Sequence, residues 1–204
     1  FFGLRDFNKF KFFHYFFMTG YELYLLIYNI CMSTKIRILQ VIPKLGFGGA
    51  ETGCYDLAHF LAEQNCKSFL ITSGGQLLKY VRRDKVKVIR LPVHSKNLII
   101  IFFNFIIIFF LLWIYKIDIV HARSRAPAWS CLWACFFSGK KFVTTFHGTY
   151  NFSSKLKQFY NSVMVRSKLI IGGSNFIFSH INVNYQKYLN LKKQKLMVIF
   201  RGIN

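Results

Sequence analysis

Ile36-Arg37-Ile38-Leu39-Gln40-Val41-Ile42-Pro43-Lys44-Leu45-Gly46-Phe47-Gly48-Gly49-Ala50-Glu51 is the stretch on which the fold turns. Its first seven residues are a β-branched run of the kind buried on both faces of a parallel sheet. The glycines that follow admit a close backbone approach, and the apolar periodicity resumes as a helix over Gly49–Gln64. Strand, glycine turn and helix N-terminus in succession favour negative charge at the turn, so Gly46 to Glu51 is placed to meet a phosphate-bearing ligand. The pattern is not G-x-G-x-x-G, because the third glycine is missing, and no Lys-Ser/Thr pair makes it a Walker loop. Glu51 can equally serve by complementing the helix dipole from the first turn.

Working outward, the same alternation continues to the end of the chain. Strands are expected at Ile36–Ile42, Ser68–Thr72, Val86–Leu91, Ile117–His121, Lys141–Thr145, Leu169–Ile171 and Leu196–Ile199. Helices are expected at Gly49–Gln64, Asn97–Lys116, Pro127–Phe137, Ser153–Arg166 and Asn175–Asn190. Such alternation predicts an α/β, Rossmann-like parallel sheet with helices on both faces. Leu98 to Tyr115 holds a single polar residue, Asn104, and reaches the lower edge of a membrane span. It lies between two strands of one sheet, however, and a crossover helix that returns to its sheet cannot also traverse a bilayer. It reads as a sheet-packing helix with an apolar outer face, suited to lying on an anionic membrane. Cover by a further domain, or drift in composition, are the other readings of that face.

The chain has 204 residues, 28 Lys and Arg against 7 Asp and Glu, and a formal charge of +21. That balance draws nucleic acid, anionic lipid or phosphorylated substrates. AT-rich coding bias would produce the same scattered lysines, and no nucleic-acid motif accompanies them. Cys31, Cys54, Cys66, Cys131 and Cys135 form no C-x-x-C and no zinc spacing, so free buried thiols and a cytoplasmic setting are expected. Residues 1–31 are rich in aromatics, without a small-residue cleavage site, and match no period that follows. They are expected to be a non-native upstream extension before Met32, with a membrane anchor as the alternative. The domain proper is then 32–204.

Two further segments lie at strand carboxyl ends, where open parallel sheets bind ligands. His121-Ala122-Arg123-Ser124-Arg125-Ala126-Pro127 puts an imidazole and two guanidiniums before a helix whose first residue is expected to be Pro127. Positive forks at a helix N-terminus suit an anionic group, and Ser124 can assist the turn. Thr145-Phe146-His147-Gly148 places His147 where a side chain can donate to a hydroxyl or exchange a proton. An NAD-dependent enzyme is disfavoured, because Ser68–Thr72 runs into Ser73-Gly74-Gly75 with no acid to hold a ribose.

Together, Gly48-Gly49-Ala50-Glu51, His121-Ala122-Arg123-Ser124, Thr145-Phe146-His147-Gly148, Ile171-Gly172-Gly173-Ser174-Asn175 and Val198-Ile199-Phe200-Arg201-Gly202-Ile203-Asn204 resemble the N-terminal domain of family 4 retaining glycosyltransferases. The likeness covers nearly everything after Met32, and the H-A-R-S-R-A-P-A-W stretch resembles members that build bacterial lipopolysaccharide or other surface glycans. It implies the N-terminal, acceptor-side half of a GT-B fold, with the donor-binding C-terminal domain absent from this sequence. It implies a nucleotide sugar as donor, a lipid-linked or glycan acceptor, and no metal or other cofactor. It places Gly48, Gly49 and Gly148 beside donor phosphate or sugar and gives His147 the catalytic contact with the transferred sugar. His121, Arg123, Ser124, Arg125 and Glu51 are then the candidates for the acceptor or an anionic group. Asn204 stands where the resembling motif usually ends in Asp. Cytoplasmic location, peripheral on the inner face of the membrane, follows as an expectation. So does the absence of sugar transfer by this half alone. A non-catalytic basic Rossmann module docking on anionic membrane or glycan is the alternative function.

Overall fold

The computed structural model describes residues 35–150 and 153–200; the upstream segment, Cys31 and the closing Arg201-Gly202-Ile203-Asn204 lie outside them. Seven strands form one wholly parallel sheet in the order β3-β2-β1-β4-β5-β6-β7. They are β1 (Arg37–Val41), β2 (Lys67–Thr72), β3 (Val86–Arg90), β4 (Ile119–Ala122), β5 (Lys141–Phe146), β6 (Leu169–Gly172) and β7 (Lys195–Val198). The α-helices among the described residues are α1 (Gly49–Glu63), α2 (Leu98–Ile114), α3 (Arg125–Ser138), α4 (Lys155–Asn161) and α5 (Asn175–Asn184). Every strand foreseen from the sequence is present, with ends moved by one or two residues.

Strand order reverses between β1 and β4, so the crevice of the fold opens beyond Val41 and Ala122. Alternation along the strands divides the core in two. Leu39, Val41, Val120, Phe142, Phe146 and Ile170 face α2, α3 and α5 in the largest buried cluster. Ile36, Ile38, Ile119, Val143, Leu169 and Ile171 face the opposite way, with Leu61 of α1.

Three helices differ from the sequence reading. α3 begins at Arg125 after Ser124, two residues before the expected Pro127 start. A proline's missing N–H is harmless anywhere in the first turn, where that donor has no intrahelical partner. The helix expected over Ser153–Arg166 is α4 followed by a 3₁₀ turn, Ser162–Val165. There the Thr144 hydroxyl donates to the Met164 carbonyl at 2.6 Å, a tertiary bond no periodicity reveals. α5 likewise ends at Asn184 and passes into a 3₁₀ turn, Gln186–Tyr188.

α2 is seventeen residues long, capped by Asn97, whose Oδ1 accepts from the Ile99 N–H at 2.8 Å. Asn104, its lone polar residue, is buried and donates to the Pro92 carbonyl. Ser130 of α3 donates to the Ile101 carbonyl at 2.7 Å, which ties α3 to α2. Among the described residues no helix is long and apolar enough to cross a membrane.

Cys54, Cys131 and Cys135 are free and buried, but Cys66 is disulfide-bonded, which corrects the expectation of five free thiols. Cys66 lies at the turn entering β2 on the sheet's amino edge, whereas Cys54 sits in α1 and Cys131 and Cys135 in α3. The redox argument for a cytoplasmic setting therefore does not stand on these cysteines.

Candidate functional site

Residues two apart in a strand share a face. His121 of β4 pairs in register with Gln40 of β1 and Val143 of β5. Continuing along each strand, Arg123 follows His121 on the α1 side, and Thr145 and His147 follow Val143. The alternation thus gathers Gln40, His121, Arg123, Thr145 and His147 at the carboxyl edge, beside the point where strand order reverses.

The cluster is tightly bonded. His121 Nε2 and Thr145 Oγ1 are hydrogen-bonded at 2.7 Å. Arg123 Nε donates to Gln40 Oε1 at 3.1 Å, and Gln40 Nε2 donates to the Cys54 carbonyl of α1 at 3.2 Å. Arg123 Nη1 reaches the Ala50 carbonyl in the first turn of α1, at 3.5 Å. Burial, with Arg123 and His147 alongside, holds the His121 imidazole well below its ordinary pKa and therefore neutral at pH 7. Burial also pushes the Cys54 thiol up to about 11, against the pull of Arg123, so it is not a nucleophile. The buried guanidinium is the fixed positive charge of the site.

Arg125, expected beside Arg123, is elsewhere. As the first residue of α3 it turns toward α4, donating from Nη1 to Asn161 Oδ1 at 2.9 Å and stacking 4.2 Å from the Tyr150 ring centroid. The two guanidiniums therefore do not form one fork. Ser124 is the N-cap of α3, with extended backbone and no side-chain capping bond.

The glycine turn is built as the sequence suggests, and its anchor is new. Gly48 is the N-cap of α1 and Glu51 lies in the first turn, its carboxylate folded against Gly48. Leu45 N–H donates to the Gly74 carbonyl at 2.7 Å, and Leu77 N–H donates to the Leu45 carbonyl at 2.9 Å. Gly75 has φ +139° and packs so closely that a Cβ there would sit 2.2 Å from the Leu45 carbonyl oxygen. The Ser73-Gly74-Gly75 turn after β2 is thus the seat of the phosphate-type loop. Gly148, after His147, has open space around it.

A cavity of about 690 Å³ opens between α1 and these strand ends; Asp56, Phe60, His121, Arg123, His147 and Gly173 are among its lining. α1 enters its wall only from Gly53 onward, so the Gly46–Glu51 turn does not line it and meets the cluster through Ala50. Sequence reasoning missed Gln40, the hinge of this network. Its one signal was a lone amide in a strand-like run of Ile, Leu and Val. Among the described residues no three His, Cys, Asp or Glu side chains gather as a metal site.

Residues 47–204 match the family model of Glycosyltransferase Family 4. Among solved structures, a glycosyltransferase from Rickettsia africae ESF-5 is 38% identical with a TM-score of 0.71, over 84% of this chain and 44% of that one. Anabaena HepE in complex with UDP and glucose is 14% identical with a TM-score of 0.60, over 83% and 45%. The lipopolysaccharide outer core galactosyltransferase WaaB is 14% identical with a TM-score of 0.59, over 82% and 46%. The chain thus spans less than half the length of these three relatives, and its architecture is that of the N-terminal half of a GT-B fold. Among curated proteins none matches it.

Proposed function

This chain belongs to Glycosyltransferase Family 4, and from that premise we propose that it is the acceptor-side half of a retaining enzyme of bacterial envelope polysaccharide synthesis. The enzyme moves a sugar from a nucleotide-sugar donor to a lipid-linked or glycan acceptor, at the inner face of the cytoplasmic membrane. The observation that carries this reading is the convergence of His121, Arg123, Thr145 and His147 on one face at the carboxyl edge. A diphosphate leaving group needs donors and fixed positive charge rather than a nucleophile. The buried Arg123 guanidinium supplies the charge, without a metal or other cofactor. His147, half-buried at the mouth, is the group we assign to the transferred sugar, with Gly48, Gly49 and Gly148 beside phosphate and sugar. Neutral His121 holds Thr145 in place. UDP in the HepE complex and the galactosyl transfer of WaaB support a nucleotide-sugar donor and a surface-glycan role.

Equilibrium dialysis of the chain against nucleotide sugars tests the site. Weak retention is expected, reduced about tenfold by Arg123→Gln, the equivalent of one charge-assisted hydrogen bond. Retention unaffected by that change sinks the assignment. This half alone is expected to give no sugar transfer; clear turnover by the 204-residue chain contradicts the division of labour.

A further inference from the structure

The opposite face of the molecule carries an apolar surface that the sugar site does not use. In α2, Leu98, Ile99, Phe102, Phe103, Ile106, Phe110, Trp113 and Ile114 are exposed, and on an ideal helix they fall in one arc of about 160°. Ile101, Asn104, Ile108 and Leu112 fill the opposite arc and are buried. The surface does not stop at α2. Phe105 meets Trp133 and the exposed Phe137 of α3 at 6.0 and 5.7 Å, and the buried Trp129 carries the ring contacts on from Trp133 to the exposed Phe159 of α4, at 5.9 and 5.4 Å. Phe136 and Phe137 of α3 extend it outward, 77% and 64% exposed. A contiguous apolar patch of this kind marks an interaction surface.

Charge selects the occupant. No Asp or Glu lies between Asp84 and Asp118, and none follows Asp118, whereas thirteen Lys and Arg do. Exposed cations border the patch at both ends: Lys116 after α2, and Lys155, Lys157 and Arg166 about α4. The Arg166 guanidinium stacks 5.3 Å from the Phe159 ring and 5.4 Å from Trp129. A second copy would bring like charge against like charge. An anionic bilayer accepts the rings among its acyl chains and the cations at its headgroups. α2 connects β3 to β4 of one sheet, so it can lie in the interface but not span it.

We infer that the continuous α2–α3–α4 face is a monotopic docking surface for an anionic lipid bilayer. It rests on the proposal of a membrane-side glycosyltransferase and gives it a geometry. α4 follows the loop that leaves β5 at His147-Gly148, so the docked face leads toward the carboxyl edge where a lipid-linked acceptor would arrive.

Flotation of the full chain with phosphatidylcholine vesicles containing about one third phosphatidylglycerol tests this. The chain is expected to float with these vesicles, to remain below with pure phosphatidylcholine, and to bind at least tenfold more weakly as Phe103→Ser/Phe110→Ser/Trp113→Ser. All three side chains are solvent-exposed, so circular dichroism should be unchanged. Lys155→Gln/Lys157→Gln should weaken binding chiefly at low salt. No flotation, flotation unchanged in the triple serine variant, or a concentration-dependent dimer covering the patch would each overturn the inference. Nucleotide-sugar retention by the same triple variant separates the two readings: it should match the parent, and its loss would indict the fold rather than the membrane face.

Discussion

The two faces of the sheet use the same alternation to opposite ends. Toward α2, α3 and α5 the strand ends carry Val41, Ala122 and Phe146, all fully buried and apolar. Toward α1 their next-door neighbours are Gln40, His121, Arg123 and Thr145, also buried yet polar and bonded in pairs, His121 to Thr145 and Arg123 to Gln40. β1, β4 and β5 therefore alternate apolar and polar side chains near their carboxyl ends. Lower down, their α1 face is apolar too, with Ile38, Ile119 and Val143. On that face the bonded polar cluster sits at the edge that a ligand can reach.

Breaking the apolar face should cost most. Phe146→Ala empties a fully buried site that stacks on Tyr150 and Tyr185. A loss of about 3–5 kcal/mol is expected in urea unfolding. Next comes Gly75→Ala, which forces a side chain into both a left-handed backbone and the Leu45 carbonyl. It should cost about 2–3 kcal/mol and reduce nucleotide-sugar retention as well, because Leu45 leads into the Gly46–Glu51 turn. Gly46→Ala, in open space, should do neither.

The polar face has a pH signature. His121 has a folded pKa depressed by burial, with Arg123 and His147 adding to it. The unfolded chain therefore binds a proton near pH 6.5 that the folded chain refuses, and stability falls as pH drops below that value. The slope contributed by this one group is at most about 1.4 kcal/mol per pH unit. His121→Asn should flatten the profile between pH 7 and pH 5 while leaving the plateau above pH 7 within about 1–2 kcal/mol of the parent. An unchanged slope would show that His121 is not the group responsible. The smallest effect on stability should be that of Phe110→Ser on the exposed ridge, within about 0.5 kcal/mol.

Much of this division was legible in advance. Continuous β-branched runs gave the parallel sheet, and turn glycines gave the edge on which ligands bind. The separation of Arg123 from Arg125 was not legible, since both have the parity of His121. Ser124 between them is the N-cap, and from Arg125, the first helical residue, the period is 3.6 rather than 2. The role of Gln40 was not legible because its partners, Arg123 and the Cys54 carbonyl, are 83 and 14 residues away. The support of the glycine turn by Gly75 depends on the register of β1 on β2, which no local pattern encodes.

The α1-side strand ends form a ligand site that contains His121 and His147 and leaves His94 outside it. His59 lines the same cavity farther along α1, its Nδ1 donating to the Tyr55 carbonyl and its Nε2 accepting from the Arg82 N–H. His94 bonds Ser73 on the surface. The most direct measurement is a titration of the histidine-labelled chain with a nucleotide sugar, following imidazole resonances by NMR. His121 and His147 should move together along one saturable curve while His94 stays still. Stationary His121 and His147 resonances, or movement of His94 equal to theirs, would contradict that site.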